Sequence, residues 1–169
     1  GLWWVRSLAE GVLRLVIFIG YLYMTSLMKD MRRTYGYHGA EHKTIHCYEA
    51  EEELTVENVR RHTRLHPRCG TSFLFVVMII SILTFSFIRV DTVWLRLLLR
   101  LALLPVVVNV SYEANRVVGR HDNWLTKALR APGLLLQRLT TREPDDEMIS
   151  VAIDALQRVI PAEAGADKW

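Results

Sequence analysis

Cysteine is almost missing from this chain. Cys47 and Cys69 are the only two in 169 residues, which excludes a disulfide framework. No basic motif interleaved with aromatics occurs, and Lys plus Arg exceed Asp plus Glu by only 21 to 18, so nucleic acid is not an expected partner. Internal repeats and low-complexity tracts are absent. A small-residue cleavage site is missing after the first apolar run, which is also too long for a signal peptide. Methionine is missing from the first position, Gly1, which suggests a fragment or a processed chain. Charge is absent from one whole stretch, FLFVVMIISILTFSFI at 73–88.

What is present is largely apolar. The chain is 51% hydrophobic with a mean hydropathy of +0.15, high for a soluble domain. Three spans stand out: VLRLVIFIGYLYMTSLM (12–28), the uncharged stretch at 73–88, and TVWLRLLLRLALLPVVVNV (92–110). Each approaches the ~20 residues needed to cross a bilayer. Leu2, Trp3 and Trp4 extend the first upstream. Arg14 interrupts it, with Glu10 four residues earlier on the same helical face. Arg96 and Arg100 lie near the start of the third and can snorkel to a surface, while Pro105 is expected to kink it. The alternative for each span is a buried helix of a soluble bundle.

The expected fold is all-α: a helical membrane protein with about three transmembrane helices and cytoplasmic amphipathic helices. Residues 1–28 form transmembrane helix 1, 29–72 a cytoplasmic His/Glu-rich helical loop, 73–89 transmembrane helix 2, 92–110 transmembrane helix 3, and 111–169 a cytoplasmic amphipathic helical region. Basic residues crowd 29–68 and 116–142, and the positive-inside rule puts both regions in the cytoplasm. Thr55 is a candidate N-cap for a helix running to Pro67, on which Val59, His62 and His66 share a face. NWLTKAL and APGLLLQRLTT read as two short amphipathic pieces able to lie on a membrane surface. Acidic residues at 145–147 open a helix whose apolar face is Ile149, Ala152, Ile153, Leu156 and Ile160.

The chemistry concentrates in YHGAEHKTIHCYE, 37–49. His38, His42 and His46 recur every four residues, and imidazoles at that spacing can share one metal ion. His38-Gly-Ala-Glu41-His42 is H-x-x-E-H, the inverted zinc-hydrolase pattern. In that pattern His38 and His42 bind the metal and Glu41 is the general base, with Glu113 or His46 completing the ligand set. His62, His66 and Cys69 are candidates for orienting these ligands or holding a second metal. Arg64 and Arg68 are candidates for binding an anion or lipid headgroup. Zinc is the first choice of metal, with iron or manganese as alternatives. The expected function is a metal-dependent hydrolase at the cytoplasmic membrane surface. The competing readings are a non-catalytic membrane scaffold with a structural metal or hydrogen-bond cluster and, last, a di-iron membrane oxidoreductase. The expected partners are the lipid bilayer and a membrane protein.

Four blocks in order, YGYHGAEHKTIHCYE (35–49), RLHPRCGTSF (64–73), VSYEANR (110–116) and APGLLLQRLTTREP (131–144), resemble the YqhQ-like family of bacterial membrane proteins. That family is a domain of unknown function labelled as a predicted metal-dependent enzyme. The resemblance implies a multi-pass protein of the bacterial cytoplasmic (inner) membrane, with a further Gly-rich N-terminal region. His38, Glu41, His42, His46, His66, Cys69 and Glu113 fall in its motif blocks. It supplies no substrate.

Overall fold

The computed structural model describes residues 3–88, 90–121 and 123–161. Leu2, expected to extend the first apolar span, lies outside them. Among the described residues all regular structure is helical: α1 (Trp3–Leu27), α2 (Lys29–Glu49), α3 (Val56–Arg61), α4 (Gly70–Ser86), α5 (Val93–Arg120), α6 (Trp124–Thr140) and α7 (Asp146–Gln157).

The chain divides into two compact units. The first runs to Met24 and resumes from Pro67 to Gln137; the second combines Thr25–His66 with the chain from Arg138 onward. In the first unit α4 packs on α5. A Cβ at Gly11 on α1 would come within 2.5 Å of Ile82 on α4, so glycine permits a close approach there. Gln137, fully buried, donates from Nε2 to Ser72 Oγ at 2.7 Å.

Among the described residues two helices are long and apolar enough to cross a membrane, α1 over Leu8–Leu27 and the 28-residue α5. Their apolar side chains are turned outward, as Ile17 (63% exposed) and Leu98 (62%) illustrate. The uncharged stretch 73–88 is one of the three expected spans; α4 there has 17 residues, about 25 Å of helix, at the short limit for crossing. The helix opens after the turn at 67–69 and ends at Ser86, whose Oγ donates to the Leu83 carbonyl at 2.7 Å. Conversely α5 runs ten residues past the expected boundary at 110, carrying Glu113 and Arg116. The expected pairing of Arg14 with Glu10 is present at 3.9 Å, with Arg6 also on Glu10 at 3.2 Å.

The second unit packs α2 against α7 and α3. Ala40, Cys47, Val59, Ile149 and Ile153 form its core. Ile149, Ala152 and Ile153 of the stripe read from the sequence thus pack into this core, Ile160 lies past the end of α7 at Gln157, and Asp145 caps α7 by accepting from Met148 N at 2.9 Å. Gly39 is required: a Cβ there would overlap the Arg142 carbonyl oxygen, and Arg142 N donates to Tyr35 O at 2.8 Å.

Two further boundaries differ from those expected. Thr55 does cap α3, accepting from Asn58 N at 3.3 Å, but the helix stops at Arg61 rather than Pro67. His62 turns extended (φ −79, ψ 161), so Val59, His62 and His66 share no helical face. The two expected amphipathic pieces after residue 123 are one helix, α6, with Pro132 inside it. Thr126 N donates to Asn123 Oδ1 at 2.9 Å, closing its N-terminal turn.

Candidate metal centre

The second unit gathers imidazoles between α2 and the irregular segment 62–66. His38, His42 and His46 succeed one another along α2, and the His38 and His42 ring centroids are 4.4 Å apart. Leaving the helix at His62 frees the next backbone carbonyls, and α2 supplies their donors. His42 Nδ1 donates to the Arg64 carbonyl at 2.6 Å, and His46 Nε2 donates to the Leu65 carbonyl at 3.0 Å. His38 Nδ1 donates to the Thr140 carbonyl at 2.8 Å. A carbonyl can only accept, so each bond fixes a tautomer and puts the lone pair of the neutral ring on its other nitrogen. Metal-binding histidines are commonly oriented in this way.

His66 arrives on the same segment and is buried, 4.7 Å from His46 and 5.7 Å from His42 between ring centroids. Its Nε2 lies 3.4 Å from Glu49 Oε2. Burial, reinforced by His46, pushes its pKa down to about 4, so the ring is neutral at pH 7. Ligand atoms of His46, Glu49 and His66 all lie within 4.8 Å of one another. His46 and Glu49 stand one helical turn apart on α2, and Glu49 is exposed. Glu49 escaped the sequence reading because it opens the acidic run EAEEEL; the three-residue step from His46 was the available signal.

Cys47, Glu52 and His62 form another group of donors within 4.8 Å of each other. His62 Nε2 meets Glu52 Oε2 at 3.2 Å. Cys47 is fully buried in the apolar core and its Sγ faces the Glu53 carbonyl at 3.6 Å. Burial, then the Glu52 charge, raises its pKa. A thiol held protonated in this way behaves as a small core residue.

The other sequence candidates are distributed as follows. Glu41 is exposed on α2, between half-buried His38 and buried His42. Arg64 is engaged inside the second unit: Nη1 donates to the Thr141 carbonyl, and Nε meets Glu143 Oε1 at 3.3 Å. Glu143 also pairs at 2.9 Å with Lys43, which is buried and donates to the Arg60 carbonyl. The remaining candidates belong to the first unit. Glu113 is exposed on α5 and paired with Arg116 at 3.2 Å. Cys69 precedes α4, buried, with Sγ 3.0 Å from Thr71 Oγ1. Arg68 is half-buried beside Gly119.

The sequence of residues 2–162 matches the family described as "Protein of unknown function (DUF1385)". The chain belongs to that family. It is similar to "Uncharacterized protein YqhQ" of Bacillus subtilis (strain 168), with 41% identity over 156 residues, 92% of this chain. The chain spans about half the length of that relative, 49%. No solved structure matches it. The family resemblance drawn from the four sequence blocks therefore holds; neither the family description nor the relative's name assigns an activity.

Proposed function

We propose that the chain is a membrane-embedded metal-binding protein whose second unit holds one divalent cation on His46, Glu49 and His66. The observation that carries this reading is the convergence of those three donor groups within 4.8 Å. The donor set fits such an ion: two imidazoles and a carboxylate suit zinc first, and iron or manganese after it. Hydrogen bonding to the Leu65 carbonyl orients the His46 ring, and burial keeps His66 neutral. Three protein ligands leave a coordination position open, the usual arrangement of catalytic rather than structural zinc sites. The exposure of Glu49 supports access from solvent.

On this basis the activity is a metal-dependent hydrolase acting on a peptide or lipid-linked substrate at the cytoplasmic surface of the inner membrane. When bound, the cation supplies Lewis acidity and a water nucleophile near neutral pH. His38 and His42 extend the imidazole row and orient it through the Thr140 and Arg64 carbonyls. The exposed apolar faces of α1 and α5 support the membrane reading, and the basic residues of the two flanking regions support the cytoplasmic orientation.

A second reading has its own observation. The three α2 imidazoles fasten backbone carbonyls at Thr140, Arg64 and Leu65, which also suits a structural node of a non-catalytic scaffold. Elemental mass spectrometry of gently purified protein separates the possibilities. About one zinc per chain, lost in His66→Gln, is expected; its absence from wild type overturns the metal site. Manganese-loaded protein that speeds the relaxation of solvent water, the sign of an open and exchangeable coordination position, favours the hydrolase, and no such effect favours the scaffold.

A further inference from the structure

The first unit carries a charge imbalance beside the exposed apolar faces of α1 and α5. Glu10 and Arg14 on α1, Phe85 on α4 and Arg100 on α5 line one small open pocket. Glu10 is its one carboxylate, and it is shared: Arg6 holds it at 3.2 Å and Arg14 reaches it at only 3.9 Å. Arg100 has its guanidinium carbon 5.7 Å from the centre of the Phe85 ring, and its Nε is buried with no hydrogen-bond partner. A guanidinium is always charged, and a buried donor without an acceptor is costly. Arg96, one turn earlier, resolves the same problem by donating from Nε and Nη2 to the Val90 carbonyl at 2.9 and 2.6 Å.

We infer that Arg100 and Arg14 bind the phosphate of an anionic phospholipid, whose acyl chains lie along the exposed leucines of α5. A phosphate supplies the acceptors that Arg100 Nε lacks and offsets the surplus of guanidinium charge, in the fork geometry arginine favours. The neighbours of Arg100 choose a lipid over a free anion. Leu97, Leu98 and Leu101 flank it on α5, all about half exposed. One ligand joining a phosphate to long apolar tails satisfies both features. Arg100 lies seven residues into α5, ~10 Å from its start, a depth from which an arginine reaches headgroup level. The lipid identity rests on the membrane reading above; the guanidinium pairing does not.

Native mass spectrometry of the full chain in micelles tests this, with phosphatidylglycerol, phosphatidylcholine and inorganic phosphate as separate probes. Phosphatidylglycerol should remain bound, be retained better than phosphatidylcholine, and bind ~10-fold more weakly to Arg100→Gln. Glu10→Gln, which removes the competing carboxylate, should tighten it. Equal retention by wild type and Arg100→Gln overturns the inference, as does binding of inorganic phosphate with no lipid retained. Should Arg100→Gln lose its helical circular dichroism, Arg14→Gln replaces it, and undiminished lipid binding there is equally fatal. Extraction of cell membranes with alkaline carbonate tests the membrane reading separately: release of the chain refutes that reading, whereas Arg100-dependent retention concerns this site alone.

Discussion

Two glycines three residues apart on α2 should respond oppositely to the same substitution. At Gly36 a new Cβ would meet Met148, with Sδ at 2.6 Å and Cε at 3.2 Å. That is the end of a flexible side chain, which can swing aside. Alanine also favours the helix by up to ~1 kcal/mol over glycine, so Gly36→Ala should be neutral or slightly stabilising. At Gly39 the obstacle is the backbone carbonyl of Arg142. That carbonyl cannot yield alone, because its segment is tied to α2 on both sides: Arg142 N donates to Tyr35 O, and His38 Nδ1 donates to Thr140 O, each at 2.8 Å. Overpacking costs ~1–3 kcal/mol and each lengthened hydrogen bond ~1 kcal/mol, against the helical gain of ~1 kcal/mol. The net for Gly39→Ala is a destabilisation of about 2 kcal/mol, or a ~30-fold larger opening equilibrium for the second unit. Hydrogen exchange read by mass spectrometry on peptides covering 35–47 and 138–145 measures that ratio directly. Equal exchange in the two variants, or slower exchange in Gly39→Ala, would refute the packing argument.

Glu143→Gln should cost the second unit about 1–2 kcal/mol, because Lys43 is buried while Glu143 is largely wet. Lys43→Met should cost less, and thermal unfolding of the two variants checks the order. His66 titrates below its unfolded value of about 6.5, at about 4, so the folded protein binds fewer protons across that window. In metal-free protein its contribution is complete above pH 6.5 and is lost as pH falls through 4, a change of about 3 kcal/mol that His66→Gln should remove from a pH series of melts. Cys47, buried and with its pKa raised, should resist maleimide labelling in Cys69→Ser protein until the second unit opens. Rapid labelling of the native protein would contradict the core described here.

Local patterns were readable where a single element decides them. The helical class follows from hydrophobic runs and periodicity. The Asp145 and Thr55 caps follow from short polar side chains ahead of apolar repeats. The four-residue spacing of His38, His42 and His46 guarantees neighbouring imidazoles on any helix. Boundaries were less readable, because tertiary contacts compete with local preference. The histidines at 62 and 66 would share a face only if α3 continued, and it stops at Arg61. Beyond that stop, the Arg64 and Leu65 carbonyls are satisfied by α2 imidazoles instead of by a helix's own amides.

The sequence by itself determined that this chain is helical and apolar, that three of its six imidazoles cluster on one helix, and that it belongs to its family. Only the tertiary structure decided which acid joins them. Glu41 is nearer in the motif, yet Glu49 is the carboxylate that converges with His46 and His66, because the irregular 62–66 segment delivers His66 to the far end of α2. Spacing along a chain fixes only the neighbours within one helix; groups brought by another segment depend on where that segment's backbone finds its hydrogen-bond partners.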